Sequence, residues 1–211
     1  MAAFSMPRWV GAVTMAESAG FLIPVAGFAI SAITGLPVGW AWLLMVVCGA
    51  GEGALLGVGQ AVALRGTSWQ VPFARWVPAT AVGAMIAWSL GMAPSSLVDL
   101  GVDIDLGNPL TWVVAGAGAV ALLISIPSAQ YVVLRNRIPH AWLWIPVNVV
   151  AWTVGLVFTF LPGPFIDEST PGATMAVAFA LAGICMAATV AVVTGLWLRS
   201  RPVLAEPTLQ S

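Results

Sequence analysis

The chain has 211 residues, of which 60% are hydrophobic and 7% charged, with a mean hydropathy of +1.00 and a formal net charge of −1. A water-soluble globule of this composition would have too little polar surface to cover itself, so lipid must be the main solvent. The near-neutral charge without a basic stripe gives no reason to expect nucleic acid, and Cys48 and Cys185, both inside apolar stretches, indicate neither a disulfide framework nor a metal knuckle.

A bilayer core needs about 20 apolar residues per helix, and six stretches meet that length: 9–33, 38–64, 73–93, 110–134, 141–161 and 174–198. The first follows Arg8 and is rich in alanine, like a secretory signal, but its length and Glu17 read as a retained span. The second carries GAGEGALLGVGQAVALR from Gly49 to Arg65. On a helix, Gly49, Glu52, Gly53, Leu56 and Gln60 share one face, whereas Leu44, Val47, Ala54, Val58 and Val62 occupy the other and suit acyl chains. Gly49, Gly53 and Gly57 recur every fourth residue, a packing face that lets another helix approach closely.

After the third stretch, the segment from Pro94 to Pro109 reads as a solvated loop whose aspartates lack the spacing of a calcium loop. The segment from Pro162 to Gly172 reads as a second loop, and beyond Leu198 a short flexible tail is expected over 199–211. All seven arginines (Arg8, Arg65, Arg75, Arg135, Arg137, Arg199 and Arg201) fall on one side of the six spans. Asp99, Asp103, Asp105, Asp167 and Glu168 fall on the other. The positive-inside rule then makes both termini cytoplasmic. By their position along the spans, Trp9, Trp69, Trp76, Trp142, Trp144 and Trp197 are expected in an inner aromatic belt and Trp40, Trp42 and Trp112 in an outer one, with Trp152 and Trp88 deeper. His140, the only histidine, reads as interfacial.

The spans also resemble one another. Trp42, Gln60, Leu64 and Arg65 recur as Trp112, Gln130, Leu134 and Arg135, displaced by 70, and Leu198-Arg199 closes the sixth span in the same way. Arg75-Trp76-Val77 follows Arg8-Trp9-Val10 by 67, and Trp76-Val77-Pro78 is echoed 68 residues later by Trp144-Ile145-Pro146. Successive helical hairpins of one orientation predict a pseudo-threefold axis along the membrane normal. Thr80 and Asn148 occupy matching positions, and with Gln60 and Gln130 they are expected to form a polar layer.

Glu17 and Glu52 stand about 13 Å and about 20 Å along their helices from Arg8 and Arg65, inside a core of about 30 Å. A carboxyl at that depth must be paired, protonated or face a wet cavity. With no arginine within the spans, the available partners are Gln60, Thr14, Ser18, the backbone freed by Pro24, or the other acid. The register aligns Glu52 with Leu122, and Glu17 with Ala84 and Trp152, so the acids belong to the first hairpin alone. Glu17, Glu52 and Gln60 are therefore the candidate intramembrane polar site, with Gln130 and Asn148 as second-copy polar positions. Gly51 and Gly53 do not make a dinucleotide loop, because no strand precedes them. No Ser–His pair, metal cluster or cysteine pair points to an enzyme or a cofactor.

The pattern Gly-x-x-Gln-x-x-x-Leu-Arg from Gly57 to Arg65, and Glu17-Ser18-Ala19-Gly20-Phe21, resemble a broad group of uncharacterised bacterial polytopic membrane proteins. The second copy departs from it at Pro127, where the first has Gly57. The resemblance implies a fold and brings no activity. The sequence thus predicts an all-α, six-transmembrane-helix bundle of repeated hairpins, forming a single integral domain in a bacterial-type cytoplasmic membrane. Two functions are open: a small transport or permeation protein with a protonatable carboxyl site, or a non-catalytic structural or assembly subunit. In the second, the glycine face would hold another membrane protein or a second copy of the chain.

Overall fold

A computed structural model describes residues 2–167 and 170–201. Glu168 and the tail from Pro202 onward lie outside the described residues. Among the described residues seven α-helices follow in order: α1 (Met6–Gly20), α2 (Leu22–Thr34), α3 (Val38–Leu64), α4 (Phe73–Asp99), α5 (Pro109–Leu134), α6 (Trp144–Phe160) and α7 (Gly172–Ser200). Short 3-10 turns precede α6 at Ala141–Leu143 and follow it at Gly163–Phe165. With α1 and α2 counted as one broken span and α6 counted with its flanking turns, six segments of the described residues are long and apolar enough to cross a membrane. The protein is an all-α, six-span integral membrane protein.

The first span breaks where proline chemistry requires it. Pro24 has no N–H to give the carbonyl of Gly20, four residues earlier, and its ring crowds that carbonyl; α1 ends at Gly20 and α2 restarts at Leu22. By contrast α4 continues through Pro94, where a loop was expected, and stops five residues later at Asp99. There Val102 N–H reaches Leu97 O at 3.0 Å and Gly101 N–H reaches Val98 O at 2.9 Å, with Gly101 at φ +82°. This is a Schellman cap, for which a left-handed glycine is the suited residue. Pro94 costs the helix one donor, but the cap fixes its end. At the last helix, Arg199 and Ser200, expected in the tail, are still helical.

Helices α1, α3, α4, α5, α6 and α7 pack in a closed ring that follows chain order, α7 returning to α1, while α2 leans on α3 outside the ring. Close approach is set by small residues, since apolar side chains gain nothing by leaving lipid for one another and packing must hold the helices. A Cβ at Gly53 would lie 2.4 Å from the Cβ of Ala84, one at Gly57 3.1 Å from the Cβ of Thr80, and one at Gly49 2.1 Å from Trp88 Cδ1. The glycine face of α3 is thus filled by α4, with partners spaced by four residues on both helices. On another side of α3, Gly59 admits Ala12 and Ala16 of α1. Val47 and Val62, on the face expected to meet lipid, are exposed.

The arginines gather at one end. Arg8 Nη2 donates to Val62 O at 2.6 Å, the Ala2 N–H donates to Gly66 O at 2.9 Å, and the Arg201 guanidinium sits 5.5 Å from the Trp197 ring centroid. The bundle is tight at this arginine end and open at the other. From α4 to α7, no residue is buried beyond Ala84 on α4, before Ser125 on α5, beyond Gly155 on α6 or before Ala182 on α7.

The expected inner aromatic belt is not what the tryptophans form. Trp9, Trp69, Trp76, Trp144 and Trp197 are all buried, and only Trp142 of that set is exposed. Trp144 meets Trp76 at 6.2 Å and Trp197 at 5.5 Å between centroids, both tilted at 56°, an arrangement that suits the ring quadrupoles. For Trp9, Trp76 and Trp144 the physical reason is that interior hydrogen-bond acceptors draw their indoles inward, while Trp69 and Trp197 pack ring against ring at 6.2 Å. At the aspartate end Trp40 and Trp112 are exposed, as a belt requires, while Trp42 is half-buried and donates to Ser89 O at 3.3 Å.

Candidate functional site

Two layers stack inside the ring. The layer nearer the arginines is a hydrogen-bonded network. Trp76 Nε1 donates to Gln60 Oε1 at 3.0 Å, and Trp144 Nε1 donates to Gln130 Oε1 at 2.8 Å. The Gln130 amide joins the two pairs, donating from Nε2 to Gln60 Oε1 at 2.8 Å and to Thr80 Oγ1 at 3.0 Å. Thr80 Oγ1 donates to Trp76 O at 2.9 Å, and Asn148 Nδ2 donates to Trp144 O at 2.8 Å. On the third side Trp9 Nε1 donates to Ala191 O at 2.9 Å and to Thr194 Oγ1 at 3.2 Å. Gln60, Gln130 and Thr194 each stand five residues before an arginine, Arg65, Arg135 and Arg199. A tryptophan from the neighbouring helix therefore donates to each of three corresponding positions. All these side chains are buried, so the layer closes the arginine end with polar groups that satisfy one another.

Toward the aspartate end lies a cavity of about 370 Å³, lined from all six ring helices. Glu17, Ala84 and Trp152 line it, as do Glu52, Leu122 and Met186. The second trio stands thirteen residues before Arg65, Arg135 and Arg199. The cavity is central in the ring, and its polarity comes almost wholly from one hairpin. Along α4 its lining runs from Ala84 to Met92, about 12 Å of helix.

Both acids are buried, Glu17 at 2% exposure and Glu52 at 7%. Their helices touch at Gly20, where a Cβ would come within 3.1 Å of Glu52 O and 3.4 Å of its Cγ. Glu52 Oε2 accepts from Trp88 Nε1 at 2.5 Å. Glu17 Oε2 has no hydrogen-bond partner, and neither has Thr14 Oγ1 or Ser18 Oγ on the adjoining turns. A buried polar atom left in this state costs about 1–3 kcal/mol, and the side chain that carries this one lines the cavity.

Of the residues grouped in the sequence, Glu17 and Glu52 come together at one cavity. Gln60 lies two turns nearer the arginines, in the closing layer with Gln130, Thr80 and Asn148, and its hydrogen bonds go to Trp76 and Gln130 rather than to an acid. The partner of Glu52 is Trp88, which was read only as a deep residue. Its signal lay in spacing: Thr80, Ala84 and Trp88 repeat every fourth residue, opposite Gly57, Gly53 and Gly49 in antiparallel order. Among the described residues, no group of three or more histidines, cysteines or acids could hold a metal ion.

Ring and cavity together define a class, the polytopic membrane bundle with an internal acid-bearing cavity. No protein-family model matches the chain, and neither a curated protein nor a solved structure matches it.

Proposed function

We propose that the protein is a small transporter, with the central cavity as its substrate site and Glu17 and Glu52 as the groups whose charge changes as the site loads and empties. The observation that carries this reading is that Glu17, a carboxyl with an unpartnered oxygen, lines a cavity whose other lining side chains are mainly apolar. A carboxyl serving as glue would be hydrogen-bonded across the helices it joins, and Glu17 Oε2 is bonded to none. The cavity lies on the open side of the bundle, and the Gln60–Gln130 layer shuts the other side, an asymmetry that suits one face of an alternating-access cycle. The repeated tryptophan contacts support reading the chain as three permuted hairpins around one axis. The arginine end is taken as cytoplasmic, in a bacterial-type membrane.

A Gly49, Gly53 and Gly57 face free for another protein would have favoured the assembly reading. It is occupied by α4 of the same chain.

The test is solvent access. Leu122→Cys, in a Cys48→Ala and Cys185→Ala background, is exposed to an impermeant thiol reagent in right-side-out and inverted membrane vesicles. A transporter presents the cavity to each side in turn, so labelling is expected in both preparations. Labelling from one side only would sink the transport reading.

A further inference from the structure

Resting on the reading of the central cavity as a substrate site, we infer that its ligand is an amphiphilic organic cation, an apolar body carrying an ammonium-like charge. The sign of the charge follows from the lining. Its ionisable side chains are Glu17 and Glu52. The nearest arginine along α3 from Glu52 is Arg65, about 20 Å away along the helix. An anion entering the cavity would find carboxyls and no cation.

A bare metal ion fits no better. Hard cations such as calcium take six to eight oxygen ligands, whereas here the two carboxyls are joined in the lining mainly by apolar side chains, and no larger cluster of ligating side chains occurs among the described residues. The rest of the wall speaks for an apolar body: Phe21, Leu56, Leu122, Trp152 and Met186. The cavity volume of about 370 Å³ falls within the roughly 300–1,000 Å³ of pockets that take small organic ligands. Aromatic faces such as that of Trp152 attract an organic cation, and more strongly when water is excluded.

The two acids also divide the work. Glu52 already accepts from Trp88 and is held in place, while Glu17 Oε2 lacks a donor. A cation held in the cavity lies against the Glu17 side chain that lines it. When both carboxyls ionise in this apolar cavity they repel each other, and a cation between them relieves that repulsion.

The probes are tetraphenylphosphonium and tetraphenylborate, ions of one shape and opposite charge, titrated calorimetrically into the full chain in lipid nanodiscs against empty nanodiscs. The cation is expected to bind at least about tenfold more tightly than the anion, and Glu17→Gln with Glu52→Gln is expected to erase the difference. As a second measurement on a protein that keeps both acids, the cation but not the anion should protect Leu122→Cys from thiol labelling. Equal binding of the two ions, or cation affinity unchanged in the double variant, would overturn the inference. The two proposals fail separately. Cation binding with one-sided labelling removes transport and leaves the site; two-sided labelling without charge preference leaves transport and removes the ligand class.

Discussion

Gln130 Nε2 donates to Gln60 Oε1 across 2.8 Å, joining residues 70 positions apart through the middle of the ring. Each amide oxygen also receives an indole N–H, from Trp76 at Gln60 and from Trp144 at Gln130. Gln60→Leu strips Trp76 of its acceptor, and Gln130→Leu strips Trp144 of its own. Each should destabilise by about 1–3 kcal/mol, the cost of leaving a buried donor unmatched. The double variant loses the shared bond only once, so its cost should fall short of the sum by roughly 0.5–3 kcal/mol. Unfolding the four proteins in mixed micelles measures this directly, and strict additivity would mean that the two amides do not act as one layer.

Gly53 and Gly116 are both helical, yet they should respond oppositely to the same substitution. At Gly53 a methyl group would meet the Cβ of Ala84 at 2.4 Å and the backbone oxygen of Thr80 at 2.9 Å, so α3 and α4 must separate. Such overpacking costs about 1–3 kcal/mol. At Gly116 nothing lies within 4 Å, and alanine should stabilise by roughly 0.5–1 kcal/mol by restricting the unfolded chain. Melting temperatures of Gly53→Ala and Gly116→Ala, each against the parent, decide between this and a lipid-facing ladder, for which both would be stabilising.

The contrast between these glycines shows which features could be read from residues alone. The bounds of α3 were legible at both ends, because Pro37 starts a helix well and the apolar run gives way to Arg65-Gly66. The depth of Glu17 and Glu52 followed from helix rise and the arginine positions, and the positions of Gln60 and Gln130 suggested a layer. Depth does not reveal direction, however. Trp9, Trp76 and Trp144 lie near a boundary along the chain but turn inward, because Thr194, Gln60 and Gln130 offer their N–H groups acceptors there. Those acceptors sit on neighbouring helices, and seeing them requires the antiparallel register. The Trp88–Glu52 bond escaped for the same reason, while the end of α4 depended on a cap at Gly101 that outweighed the proline at 94.

The proposed sidedness rests on charge. Arg137 lies in the loop between α5 and α6, and Asp103 in the loop between α4 and α5, at opposite ends of a helix of 26 residues, about 39 Å long. With the arginine end cytoplasmic, Asp103→Cys in the cysteine-free background should react with an impermeant thiol reagent added outside intact cells. Arg137→Cys should react only once the membrane is opened. The reverse pattern would invert the proposed orientation while leaving the ring and cavity as they are.

Glu17→Met separates a working acid from a structural one. Methionine matches the length of the side chain and removes the oxygen that has no partner, so relief of that buried polar group should raise stability by about 1–3 kcal/mol. Glu52→Gln differs, because its amide oxygen can still accept from Trp88 Nε1 and stability should move by less than about 1 kcal/mol. Proteins tolerate such unfavourable groups where function needs them. A gain in stability together with loss of tetraphenylphosphonium binding is therefore the expected signature of Glu17→Met. If the variant instead melts well below the parent, Glu17 holds α1 in place, and the carboxyl ceases to be the reason for the cavity.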